Sequence, residues 1–237
     1  MTVDISAAVC YQKRRIVMLK DIKLGFKLLK YSYKLKLNLG MLILFILIGI
    51  VVEIMSKGTS IIGGVYFMLA GLFTYQMIMS MDVSEMVQST AMKKKIQIHM
   101  PVITSTLIYT VMFTFFVFER IILIHNNVAD AKQLIYTLFT IDLTMLTVYL
   151  FTGICYKYFI VGMLVFMVAF MAVFYGTQTG YYKGFDEIVY SWGLAAVAIL
   201  GYVIIIAGAA FEVFMGNLLY KKPLSEFAFR GFFRDAK

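Results

Sequence analysis

The chain has 237 residues, of which 62% are hydrophobic and 15% are charged, against about 25% charged residues in soluble domains. A soluble domain of this size needs more polar groups to cover its surface, so the composition excludes most soluble enzymes and indicates a protein of the lipid bilayer. Its two cysteines, Cys10 and Cys155, lack the spacing of a metal site and argue against a disulfide framework.

The N-terminal 38 residues are basic and contain a regular stripe of lysines. Five lysines alternate in steps of three and four residues, at Lys20, Lys23, Lys27, Lys30 and Lys34. On a helix they form one narrow stripe, and most of the remaining circumference is apolar. The pattern predicts an amphipathic helix that lies in the membrane interface, with its lysines among anionic lipid head groups. We expect it to bend into the first span at residues 38–40. Ordinary basic flanking of that span is the alternative.

Six stretches approach or exceed the roughly 20 apolar residues that a membrane-spanning helix needs. They are residues 39–55, 61–81, 101–118, 134–154, 159–175 and 188–211. Continuous apolar runs favour helices over the alternating strands of a β-barrel. The fourth and fifth runs nearly merge, and we expect a tight hairpin at Lys157 between them. The sequence therefore predicts an all-α integral membrane protein, with a segment at 1–38, a six-span domain at 39–211 and a tail at 212–237.

The basic residues are distributed unevenly between the two sides of these spans. Eighteen of the 22 lie in the N-terminal segment, the loop after the second span, the turn at Lys157 and the tail. The other side has only Lys57, Arg120, Lys132 and Lys183. The positive-inside rule then predicts that both termini are cytoplasmic. This bias accounts for most of the net charge of +9, so no nucleic-acid partner is predicted.

The loop after the second span is the longest internal connection on the basic side. Asp82 followed three residues later by Glu85 is typical of a helix start, and we predict a short helix over residues 84–95. Such a helix could contact a soluble partner, while a solvated linker with anchoring lysines is the alternative. The candidate contact residues are Ser84, Glu85, Met86, Val87, Gln88, Ser89, Met92, Lys93 and Lys94.

The fourth span contains the most unusual polar residues. Asp142 lies eight residues inside it, where a charge is costly and usually functional. A polar conduit or proton relay is one interpretation, and a structural hydrogen bond to a neighbouring helix is the other. Four threonines share one face of the span: Thr137, Thr140, Thr144 and Thr147. They are candidates for a translocation path, or they bond to carbonyl groups of their own helix.

Other features lie near the outer ends of the spans and in the last span. Glu53, Glu119 and Arg120 are expected at the interface, with a Glu–Arg pair between spans left open. The segment 176–187 is rich in glycine and aromatic residues and could dip back into the outer leaflet. The small residues of the sixth span favour close helix packing over a binding site.

The sequence contains no phosphate-binding loop G-x-x-x-x-G-K-[ST], no G-x-S-x-G and no H-E-x-x-H. We therefore expect no catalytic site, cofactor or metal in this chain.

Over residues 18–230 the layout resembles that of the permease subunits of type II ABC exporters. The shared features are an interfacial helix, six spans, a basic loop after the second span and a short aromatic outer segment. In that family the interfacial helix and the loop dock on a separate nucleotide-binding subunit. Residues 88–95 occupy this place here, with the basic run Lys93, Lys94 and Lys95 but with Ala91 where proline is common.

The resemblance implies a multi-pass permease of the bacterial cytoplasmic membrane without enzymatic activity of its own. It implies a partner ATPase dimer that binds ATP and Mg, and a second permease copy or a sister permease. Export of a peptide or an amphiphile is the working hypothesis for its cargo. The alternatives are a secondary transporter or channel that uses Asp142, or a membrane scaffold that transports nothing.

Overall fold

The computed structural model describes residues 20–32, 35–79, 87, 89–155, 157–178 and 184–222. All regular secondary structure in these ranges is helical. The helices are α1 (residues 20–29), α2 (Leu35–Ser56), α3 (Ile62–Met79), α4 (Met100–His125), α5 (Ala131–Cys155), α6 (Phe159–Gln178) and α7 (Phe185–Leu219). A π-helical segment, Lys95–His99, leads directly into α4.

Six of these helices, α2 to α7, are long and apolar enough to cross a membrane. The prediction of an all-helical fold with six such helices is confirmed for the described residues, and the chain is a multi-pass membrane protein. The hairpin predicted at Lys157 is also present, because α5 ends at Cys155 and α6 begins at Phe159.

The last helix is longer than the sixth predicted span at both ends. It has 35 residues, and a break at Gly193, with φ 78° and ψ 164°, separates a short helix over residues 185–192 from the long remainder. At the other end α7 continues past residue 211 because Glu212 is buried in the bundle and bonded to Thr152.

The first helix does not join the bundle as predicted. It ends in a turn at residues 30–32, where the Tyr31 amide donates to the Leu28 carbonyl at 2.9 Å. The predicted bend at residues 38–40 is wrong, since these residues lie inside α2. Lys34 lies outside the described residues.

Helix α5 forms the centre of the bundle. It packs mainly on α7 and α6, and also on α3 and α4, and most of its side chains are buried. Helices α2 and α6 pack on α3 and α5, respectively, and expose most of their apolar side chains. The polar residues of α5 beyond its first turn, from Thr137 to Thr152, are therefore held in the interior of the protein.

Two glycines of α7 allow it to approach α5 closely. A Cβ atom added at Gly201 would overlap Phe113 and the Asp142 carboxylate, and one added at Gly208 would overlap the ring of Tyr149. The two glycines are seven residues apart and so share one face of α7. The prediction that small residues of this span permit close packing is confirmed at these positions.

Candidate functional site

The basic segments of the chain meet at one end of the bundle, which we call the basic end. Helix α1 packs against the start of α4 there. The Lys157 ammonium donates to the Lys222 carbonyl at 2.7 Å, which joins the α5–α6 hairpin to the end of α7. The ammonium groups of Lys93 and Lys94 each lie 5.9 Å from the centre of the Tyr220 ring. By the positive-inside rule this is the end expected to face the cytoplasm.

Helix α1 is docked on the membrane-spanning helices by one ion pair and one apolar cluster. Asp21 accepts a hydrogen bond from the Lys95 ammonium at 2.5 Å, with both side chains partly buried. The cluster consists of Leu28, Ile78, Val87, Ile96 and Met100. Part of the apolar face of α1 is therefore covered by the chain itself.

The lysines of α1 remain on its open side. Lys20, Lys23, Lys27 and Lys30 are all exposed, as are the neighbouring Phe26 and Tyr31. This surface combines positive charge with aromatic groups, which suits contact with anionic head groups or with an acidic partner surface.

The loop before α4 presents a small exposed surface beside this helix. Residues 89–92 are exposed and form turns rather than the predicted helix, and Lys93 and Lys94 begin the helical segment that continues into α4. Val87 is buried in the apolar cluster, so its side chain does not face outward. The candidates Ser84, Glu85, Met86 and Gln88 lie outside the described residues.

The docking of α1 can be tested by a disulfide. A Cβ atom at Gly25 would lie 3.7 Å from the Cβ of Thr104, within the range that a disulfide requires. In a chain with Cys10 and Cys155 replaced by serine, we expect the pair G25C and T104C to cross-link on mild oxidation, measured by mass spectrometry of linked peptides. The control pair F26C and T104C should stay reduced, because Phe26 lies on the exposed side. Equal cross-linking of both pairs would contradict this docking.

A buried ion cluster lies near the other end of the bundle. The Arg120 guanidinium donates to the Glu53 carboxylate of α2 and, at 3.1 Å, to Glu119. Glu53 and Arg120 are 2% and 0% exposed, and the Glu–Arg pair left open by the sequence is present. Their expected location at the membrane interface stays a prediction. The guanidinium also packs against the turn at Gly58, which connects α2 to α3. The cluster thus joins α2 and α4 beneath this turn.

Asp142 lies at the centre of the bundle with no exposed surface. Neither of its carboxylate oxygens has a hydrogen-bond partner among the described residues. The carboxylate lies instead against the α7 backbone at Gly201. The structural hydrogen bond offered as one interpretation is therefore not observed in the part of the chain that the structure describes.

The four threonines of α5 are buried, and each donates to a carbonyl of its own helix. The bonds run from Thr137 to Leu134 (2.9 Å), from Thr140 to Tyr136 (3.0 Å), from Thr144 to Thr140 (2.8 Å) and from Thr147 to Thr144 (2.7 Å). Thr137 also donates to the Gly58 carbonyl at 3.2 Å. Their hydroxyl protons are thus engaged within the protein, as the second interpretation expected.

A second buried carboxylate, Glu212, was not identified from the sequence. It lies on α7 toward the basic end, accepts a hydrogen bond from Thr152 of α5, and keeps one oxygen without a partner among the described residues. Two tyrosines lie within its electrostatic range, Tyr149 of α5 and Tyr109 of α4. Their rings meet edge to face with centres 5.3 Å apart. We call Asp142, Tyr109, Tyr149, Thr152 and Glu212 the polar column.

The described residues contain no group of three or more His, Cys, Asp or Glu side chains placed to hold a metal ion. No family model, curated protein or solved structure matches this chain. Its function is therefore inferred from the helix layout and from the chemistry of the basic end and the polar column.

Proposed function

We propose that this chain is the membrane-spanning permease subunit of an ATP-driven exporter of the type II ABC class, located in a bacterial cytoplasmic membrane. A separate ATPase dimer would bind ATP and Mg, and a second permease copy or a sister permease would complete the transporter. One observation carries the proposal: α1, Val87 just before the turns at residues 89–92, and the start of α4 are packed together as one unit at the basic end.

This unit suits the transmission of force from a soluble partner into the membrane. The turns at residues 89–92 beside it are exposed, and Lys93 and Lys94 continue from them into α4. The Asp21–Lys95 ion pair and the apolar cluster couple α1 to the same helix. A push on the turns would therefore move α1 and α4 together as a rigid body.

The end of the bundle opposite the basic end also agrees with the type II exporter layout. Residues 185–192 form a short helix, which the break at Gly193 separates from the membrane-spanning part of α7. The type II exporter layout has a short aromatic segment at this point in the chain, and Phe185, Tyr190 and Trp192 supply the aromatic side chains here. This agreement supports the proposal independently of the basic end.

The packing of the bundle favours a cargo path between two permease subunits. The interior among α3, α4, α5 and α7 is filled by large side chains such as Phe113, Phe116 and Met145. Helices α2 and α6, by contrast, expose apolar surface that a second subunit or lipid would cover. A path at such an interface needs no large channel inside one copy.

The proposal predicts that Met92 contacts the ATPase. Its side chain is 45% exposed at the tip of the turns, so M92D places an unpaired charge in the contact without disturbing the bundle. We expect M92D to insert normally. An ATPase should copurify with the wild type from native membranes in mild detergent, and it should be lost from the M92D preparation. Mass spectrometry identifies the ATPase by its phosphate-binding loop. The matched control is V128D, since Val128 is 40% exposed in the loop between α4 and α5.

Retention of the ATPase by M92D would show that the turns are not the contact. Absence of any ATPase from the wild-type preparation would remove the exporter proposal itself.

The polar column favours a second candidate, a secondary transporter or channel. Asp142 and Glu212 are buried acidic groups without a cationic partner among the described residues, a pattern typical of ion-coupled transporters. Transport by the purified chain alone, in vesicles without any ATPase, would favour this function over the exporter.

A further inference from the structure

Four members of the polar column lie along one seam between α5 and α7, and Tyr109 of α4 joins them through its ring contact with Tyr149. On α5, Asp142, Tyr149 and Thr152 are separated by seven and three residues, which places them on one face. On α7, Gly201, Gly208 and Glu212 are separated by seven and four residues and face them. Ten residues of α5 separate Asp142 from Thr152, or about 15 Å at 1.5 Å per residue. The seam thus connects the centre of the bundle with a level near the basic end.

Polar atoms without partners are concentrated along this seam. Both oxygens of Asp142, the hydroxyls of Tyr109 and Tyr149 and one oxygen of Glu212 are buried and lack a hydrogen-bond partner among the described residues. Buried polar groups in proteins are almost always hydrogen-bonded, so a series of exceptions in one place calls for a ligand or a function. Three helices, α4, α5 and α7, contribute these atoms.

The groups that face the two carboxyls are neutral or acidic. Glu212 accepts a hydrogen bond from Thr152, and Tyr149 and Cys155 of α5 and Tyr109 of α4 lie within its electrostatic range. Asp142 lies beside Gly201 of α7. The buried arginine is engaged elsewhere, by Glu53 and Glu119. Within the described ranges no basic side chain forms an ion pair with either carboxyl, so a proton is the simplest partner for each of them.

We propose that the polar column is a proton-exchange path between the basic end and the centre of the membrane. Glu212 takes up a proton near the basic end, and Asp142 holds one at the centre. Between them each tyrosine oxygen accepts one proton as its own hydroxyl proton leaves. Asp142 releases the proton it held by the reverse path and the hydroxyls rotate back, so the net result is the exchange of one proton on Asp142 for one from the basic end. Internal water molecules connect the tyrosine hydroxyls with Asp142. The oxygens without partners supply the polar contacts that such water needs.

This inference goes beyond the exporter proposal, and for the second candidate function it names the ion that the polar column would bind. It concerns a proton as ligand rather than a cargo, and it holds whether or not an ATPase binds at the basic end. In an exporter, the path would make the protonation of the groups between α5 and α7 depend on pH.

Infrared spectroscopy of the purified chain in lipid nanodiscs tests the proposal without any ATPase. Protonated carboxylic acids give a carbonyl stretch that is separate from that of carboxylates and shifts on exchange into D₂O. We expect two such bands near neutral pH, one lost in D142N and the other in E212Q. Both should shift on exchange and disappear on titration to alkaline pH.

The tyrosines are tested by the double variant Y109F/Y149F. Neither hydroxyl has a hydrogen-bond partner of good geometry among the described residues, the nearby Thr106 side chain included, so phenylalanine removes no hydrogen bond seen there. We expect the exchange of the Asp142 band to slow by at least an order of magnitude. The matched control is Y136F, which removes a hydroxyl that donates to the Thr177 carbonyl outside the column and should leave the exchange rate unchanged.

Two outcomes would overturn the proposal. One is the absence of both bands in the wild type, or their response to Na⁺ rather than to pH, which would assign the carboxyls to a metal cation. The other is an equal exchange rate in Y109F/Y149F and Y136F, which would remove the tyrosines from the path.

Discussion

Replacing Arg120 by methionine is expected to destabilise the folded chain by about 3–5 kcal/mol, the cost of breaking a buried ion pair by removing one partner. The guanidinium is wholly buried, and its loss leaves Glu53 buried without a cation and Glu119 beside it. The turn at Gly58 would also lose the group on which it packs. The measurement is the free energy of unfolding in mixed micelles of a mild detergent and sodium dodecyl sulfate.

Two further variants separate charge from packing. The double variant E53Q/R120M removes the two most deeply buried charges and leaves only the partly exposed Glu119 without its cation. It should therefore be more stable than R120M and less stable than the wild type. K132M breaks the ion pairs of Lys132 with Asp186 (2.8 Å) and Glu187 (3.6 Å), which lie on the surface, and should leave the stability unchanged. If R120M were as stable as K132M, the cluster would not hold α2 to α4.

The spanning helices could be predicted because their signal is local. A continuous apolar run needs no knowledge of its neighbours, since the bilayer itself favours a helix with all backbone groups bonded internally. The hairpin at Lys157 follows in the same way, because a single helix through both runs would be about twice as long as the hydrocarbon core is thick.

The residues that the sequence did not place depend on partners far away in the chain. Glu53 pairs with Arg120, 67 residues later, and Thr152 bonds to Glu212, 60 residues later. Glu212 also ends the apolar run that defines the predicted last span, so the sequence places this buried acid at the start of the tail. Its only local signal is the largely apolar stretch after it, over residues 213–219.

The first helix could be predicted only in part from the sequence. Periodicity identified its lysine stripe, and the lysines described in α1 and the turn after it are exposed. Periodicity does not show what covers the apolar face, and Asp21 finds its partner Lys95 74 residues away. Location in the membrane interface stays a prediction for the part of this face that the bundle leaves open, where Phe26 and Tyr31 are exposed.

The seam between α5 and α7 gives the second large expected effect. Replacing Gly208 by leucine should destabilise the chain by about 3 kcal/mol, the upper end of the usual cost of overpacking. A Cβ atom at this position already overlaps the ring of Tyr149, and leucine adds three more carbons. Tyr149 is 1% exposed and packs edge to face on Tyr109, so neither ring has space to move away. The two helices must therefore separate, and the measurement is again the free energy of unfolding in mixed micelles.

The matched control is the same substitution at Gly40, which lies on the exposed surface of α2. No heavy atom lies within 4 Å of a Cβ atom added there, and removing a glycine from a helix interior favours the helix by up to about 1 kcal/mol. G40L should therefore be at least as stable as the wild type. If G208L were equally stable, α7 would not approach α5 at Gly208. If G208L is unstable as expected, its separated helices should also admit water to the seam, and the Asp142 band should then exchange faster than in the wild type.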